Sequence, residues 1–157
     1  MKTNIEQLRA MVRQLFSFAG VDSVQVSVYS QEVSKFLTLL DYYPNDNKAR
    51  VHINECVLRQ LEPAGVAMII AHEVGHILAH RERGEECRGP EVELYCDAIG
   101  RQLAVQCGYK VDKPSVEELF TLLHSHARKH NPNSILLETD MYPSLRDRYH
   151  RAIRSVL

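Results

Sequence analysis

Residues 69 to 80 read IIAHEVGHILAH, an apolar run interrupted by two histidines and a glutamate. Two imidazoles and a carboxylate inside a buried helix cost free energy unless something partners them. Their spacing names a candidate. On a helix, side chains four residues apart project from one face, so His72 and His76 can place ring nitrogens on a single ion. Glu73 is rotated about 100° around the axis from His72 and can overhang that ion without binding it. Two histidines that bind, with a glutamate placed to take a proton from a metal-bound water, is the arrangement of zinc hydrolases. Zinc is the expected ion, because it accepts imidazole and carboxylate ligands in a tetrahedral site with one open position. Gly75 lets another segment approach the helix closely.

An HExxH string turns up by chance in on the order of one chain in a few hundred of this length. Context therefore decides, and the context needed is a third ligand. Ala79 and Glu82 stand where a metzincin extension would need glycine and histidine, so a carboxylate ligand is expected instead. The stretch PEVELYCDAIG, residues 90 to 100, offers Glu91, Glu93 and Asp97. Glu93 and Asp97 are one helical turn apart and share a face. Glu93 can complete the site while Asp97 accepts a hydrogen bond from the far nitrogen of a ligating histidine, fixing its tautomer. The plain alternative is a pair of solvated acids near a helix N-terminus, favoured by its dipole.

These residues need a scaffold. Thr3 with Glu6 has a capping-box pattern, and Ile5, Leu8, Val12, Leu15 and Phe16 follow at helical spacing towards a stop at Gly20. Valines at 21, 24, 26 and 28 predict a half-buried strand. KFLTLLDYY predicts a second, closed by the turn-rich PNDN of residues 44 to 47, and ARVHINE a third. Pro63 and Gly84 bracket the helix that carries the motif. Further helices are expected from Pro90 to Gly108, from a Ser115–Glu118 cap to His130, and from Ser144 to Leu157. With no repeat or linker, residues 1 to 157 read as one α+β domain, a small antiparallel or mixed sheet packed on the motif helix and its neighbours.

Bulk properties narrow the partners. The 157 residues carry 19 basic and 20 acidic side chains, a formal net charge of -1, which gives no argument for a nucleic-acid surface or an anionic membrane. The charged N-terminus lacks an apolar signal core, and AGVAMIIA is too short to span a bilayer, so a cytoplasmic protein is expected. Cys56, Cys87, Cys96 and Cys107 form no CxxC pair and are read as reduced thiols. The histidines at 124, 126 and 130 read as a solvated face, His80 as a rim residue and His52 as an ordinary strand residue.

HEVGH followed by Glu-x-x-x-Asp in ELYCD resembles the gluzincin metallopeptidases of the HtpX and CAAX prenyl-protease family, whose motif is commonly written ExxAD; here Cys96 replaces the alanine. AIGRQLAVQCGYKVD resembles the family's continuation, and MYPSLRDRYHRAI its His-Pro-Ser segment and following arginine. The resemblance covers roughly residues 50 to 157. Most relatives are membrane-embedded, so this chain is more similar to the soluble minigluzincins. The resemblance implies a zincin-like fold and a zinc endopeptidase acting on protein or peptide. It implies His72, His76 and Glu93 as ligands, Glu73 as general base and Asp97 behind the ligands. Tyr142, in place of the family's histidine, would serve a developing oxyanion, and Arg148 would pair with an acid near the site. Substrate is expected to lie along an edge strand, for which ARVHIN is the candidate. The competing readings are a non-catalytic zinc-binding regulatory or interaction module and a hydrolase of non-peptide amides.

Overall fold

The computed structural model describes residues 3–31, 35–84 and 88–157. Helix α1 (Ile5–Phe18) opens the chain, followed by strands β1 (Gln25–Gln31), β2 (Thr38–Tyr43) and β3 (Lys48–Asn54). Helices α2 (Glu55–Gln60), α3 (Pro63–Arg83), α4 (Pro90–Gln106), α5 (Lys113–His130) and α6 (Leu145–Val156) complete the α+β order, with short 3-10 turns at Pro44–Asp46 and Pro132–Ile135. No described helix is long and apolar enough to cross a membrane.

The sheet is mixed, with strand order β1-β3-β2 among the described residues. β3 runs parallel to β1 and antiparallel to β2. This overturns the expectation that ARVHIN is an edge: β3 is the central strand, and β2 is the edge beside the motif helix. The reason is tertiary. The β2–β3 hairpin turns through Asn47 in the left-handed region (φ 52°), and β1 then takes the other side of β3. Alternation along β3 sends Ala49, Val51 and Ile53 inward and Lys48 and Arg50 outward.

Against the sheet lies α3, apolar around most of its circumference because α1, α4, α5 and β2 pack on it. Val66, Ile70, Val74 and Ile77 are buried in contact with a core that includes Leu8, Val12, Leu15 and Phe16 of α1. Fully burying one such side chain contributes about 1.5–3 kcal/mol, so α3 is a stiff platform for whatever its remaining face carries.

Two caps differ from expectation, by one residue at α1 and by three at α5. At α1 the reciprocal box is Asn4 with Gln7, at 2.8 and 3.0 Å, while Thr3 is buried instead. At α5 it is Asp112 with Ser115, since Pro114 suits the first turn and moves the start forward. Glu118, expected within the α5 cap, accepts the backbone N–H of Glu62 at 2.6 Å and so ties α5 to the start of α3. The one-and-a-half-turn α2, capped by Asn54, lies where no separate helix was expected. Cys56, Cys96 and Cys107 are thiols outside any disulfide, and Cys87 lies outside the described residues.

Candidate metal centre

Helices α3 and α4 make the most extensive helix pairing among the described residues, and glycines make it possible. A Cβ on Gly75 would stand 3.0 Å from the Cα of Cys96, and one on Gly100 would stand 3.0 Å from the backbone nitrogen of His72. Gly75 was expected to admit a neighbour; Gly100 was not singled out. An isolated glycine inside a helical pattern was the available signal. The close approach brings the acids of α4 against the histidines of α3.

Ligand atoms of His72, His76 and Glu93 all lie within 4.8 Å of one another, and no other such group occurs among the described residues. His72 Nε2 is 3.6 Å from Glu93 Oε1, and His76 Nε2 is 3.0 Å from Glu93 Oε2. Two ligands about 2.1 Å from one tetrahedral ion stand roughly 3.4 Å apart, so these separations suit a shared ion. Glu93 Oε2 supplies an independent test. It is buried and has no hydrogen-bond partner; His76 is close enough for an ion pair but is not aligned as a donor. A buried carboxylate oxygen left this way is costly, and a cation would satisfy it. Two imidazole nitrogens and one carboxylate are a donor set that suits zinc. Glu91 points elsewhere: it is exposed and outside the group.

Asp97 stands behind His72. His72 Nδ1–H donates to Asp97 Oδ1 at 2.8 Å, leaving Nε2 to face Glu93. Arg148, from α6, donates through Nε and Nη2 to the two oxygens of Asp97, both at 2.8 Å. The tautomer of His72 is thereby fixed by a carboxylate that is itself held by a two-pronged guanidinium. Asp97 and Arg148 thus both stand beside the His72, His76 and Glu93 group.

Electrostatics agree with a cation-seeking pocket. Burial alone would lower the pKa of His72, but the hydrogen bond to Asp97 and the carboxylates of Glu93 and Glu73 raise it to about 10. Burial alone would raise that of Glu93, but the imidazoles of His72 and His76 hold it at about 2. Asp97 is kept well below the usual carboxylate range: its burial is outweighed by Arg148 and His72. Glu73 is moved the other way. Burial pushes it up, against the pull of both histidines, and a more basic carboxylate is a better proton acceptor.

The centre opens on a cleft of about 890 Å³ bounded by β2, α3, α5 and α6. Glu73 and Tyr142 line it together with His72, His76 and Glu93. Tyr142 is half exposed, on a turn closed by the Thr139 N–H to the Tyr142 carbonyl at 2.8 Å. Partial burial, and then the charges of Glu93 and Glu73, raise the pKa of its phenol, so it stays a donor at neutral pH. His80 lies on the cleft wall, edge-on to Tyr42 at 5.4 Å, a rim position as expected. His126 donates to the Lys35 carbonyl at 2.7 Å, and His52 pairs with Asp41 at 3.2 Å on the sheet. No family model matches the chain, and neither a curated protein nor a solved structure matches it.

Proposed function

We propose that the chain is a zinc-dependent endopeptidase with a single zincin-like domain, akin to the gluzincins of the HtpX and CAAX prenyl-protease family. The observation that carries this reading is the buried, unbonded oxygen of Glu93 converging with His72 and His76 beneath an open cleft that Glu73 also lines. His72, His76 and Glu93 would hold the ion. A zinc ion with an open position supplies Lewis acidity, polarising a carbonyl and acidifying water.

The remaining work falls to the chain's own side chains. Glu73 takes the proton of the attacking water and returns it to the leaving amine; its raised pKa suits both transfers. Tyr142, protonated and facing the same cleft, donates to the oxyanion that develops at the scissile carbonyl. Asp97 and Arg148 keep His72 oriented. Substrate lies extended along β2, which among the described residues has a strand neighbour on one side only and whose residues Thr38 to Leu40 border the cleft. Main-chain pairing to such an edge holds a peptide in register without reading its sequence. Retention of Glu73 favours this over a purely structural zinc site, for which ligands alone suffice.

The test is to map new protein N-termini in a lysate incubated with zinc-loaded protein, beside the Glu73→Gln variant. Termini made only by the unsubstituted protein support the peptidase. Identical termini in both samples, with zinc bound in each, would favour the binding module or the amide hydrolase.

A further inference from the structure

Among the described residues, every carboxylate lining the cleft belongs to the metal centre: Glu73, Glu93 and Asp97. A bound dication together with Arg148 balances these three charges. The other charged side chains on its described wall are positive, namely Lys35, Arg88 and Arg101. None of these three side chains has a hydrogen bond or ion pair among the described residues. Lys35 and Arg88 are exposed, where water serves them. Arg101 is partly buried, and its position is different in kind.

Arg101 follows Asp97 by one turn on α4, about 6 Å along the axis. Asp97 is the nearest candidate partner, but both of its oxygens are occupied by the bidentate Arg148 and by His72. Arg101 therefore borders the cleft without a carboxylate of its own, and the lining of that cleft also includes the apolar Met68, Val116, Phe120 and Ala152. Burial lowers its pKa, Asp97 opposes that, and Arg148 adds to it, the pattern of a cation lacking its own anion. A guanidinium fork in a partly dry pocket is suited to bidentate capture of a carboxylate.

We propose that Arg101 is the specificity-determining residue of this cleft and receives a carboxylate of the bound peptide. The chain thus selects acidic peptides. The cleavage side of this inference rests on the peptidase reading; the binding side does not. The carboxylate has two chemical sources, an aspartate or glutamate side chain and a free C-terminus.

The experiment uses labelled peptides that differ at one position (Glu, Gln or Leu), each with a free or an amidated C-terminus. Binding is read by fluorescence anisotropy with zinc-loaded Glu73→Gln protein, which spares the peptide, and cleavage with the unsubstituted protein. Glu is expected to exceed Gln by about 10-fold or more in affinity. Arg101→Gln removes the preference, and Arg101→Lys retains part of it. If discrimination instead follows amidation and also disappears in Arg101→Gln, the carboxylate is the C-terminal one. An Arg101→Gln protein of unchanged thermal stability that keeps both ratios overturns the assignment. Cleavage indifferent to acids likewise overturns it while leaving the peptidase reading intact. Acid-dependent binding through Arg101 without any cleavage does the reverse.

Discussion

Replacing Asp97 by asparagine separates what this carboxylate does for the fold from what it does for the metal. Its two oxygens accept from His72 Nδ1, Arg148 Nε and Arg148 Nη2, all at 2.8 Å, and the Asp97 and Arg148 side chains are 12% and 20% exposed. Asparagine keeps the shape but loses the charge, and its amide must turn an N–H towards one of these donors. Leaving the guanidinium of a mostly buried pair without its anion costs about 3–5 kcal/mol of stability. Losing the carboxylate behind a ligating imidazole costs about 10- to 100-fold in metal affinity. The two effects come apart in the double variant Asp97→Asn/Arg148→Met. Removing the orphaned cation restores much of the stability, but the amide oxygen left to accept from His72 carries no charge, so zinc affinity stays low. Urea unfolding of the metal-free proteins measures the first quantity, and competition with a zinc chelator at fixed pH measures the second. Stability within ~0.5 kcal/mol of the parent, together with unchanged zinc affinity, would refute the reasoning.

Other perturbations test other links. In Gly100→Ala the helix propensity of alanine favours the change by about 1 kcal/mol, but the new Cβ meets the backbone of His72 at 3.0 Å and of Met68 at 3.1 Å. Rigid backbone wins that contest, so a net loss of about 1–3 kcal/mol in urea unfolding is expected, with weaker zinc binding as His72 is pushed from Glu93. The raised pKa of His72 makes the metal-free fold most favoured below about pH 6.5, and that contribution is lost as pH rises towards about 10. Glu93, held at about 2, contributes in the opposite sense: its stabilisation is present above about pH 4.5 and is lost as pH falls towards 2. Between pH 7 and 9 zinc must displace the His72 proton, so titration calorimetry in buffers of different ionisation enthalpy should register about one proton released per ion. No release in that range contradicts the electrostatic picture of the pocket. Tyr142→Phe is expected to lower kcat by ~10²-fold with little change in zinc affinity; an unaltered kcat removes the tyrosine from the chemistry.

The pairing of residues within each helix was legible because it is local. Four-residue spacing puts His72 beside His76 and Glu93 beside Asp97 whatever surrounds them, and a helix pair pressed together at Gly75 needs only to face correctly. Strand order was not legible, since alternation in β3 is equally consistent with an edge or a centre, and the choice is made by where β1 docks. The caps slipped by a few residues for a related reason: Thr3 and Asn4 both suit an N-cap, and burial of Thr3 decides between them. Glu118 matched a local capping pattern yet serves the start of another helix 56 residues away. Arg101 carries no signal in the sequence at all. A lone arginine within a helix reads as a solvated charge until the cleft beside it and the occupied oxygens of Asp97 are in view.

The most direct test of the central claim is a zinc titration of the metal-free protein, following hydrolysis of a pool of internally quenched peptides at each addition. Activity should rise in proportion to zinc and saturate at about one ion per chain, while Glu73→Gln takes up zinc with similar affinity and hydrolyses at most ~10⁻² as fast. Hydrolysis that ignores zinc, or that survives intact in zinc-loaded Glu73→Gln, would contradict it.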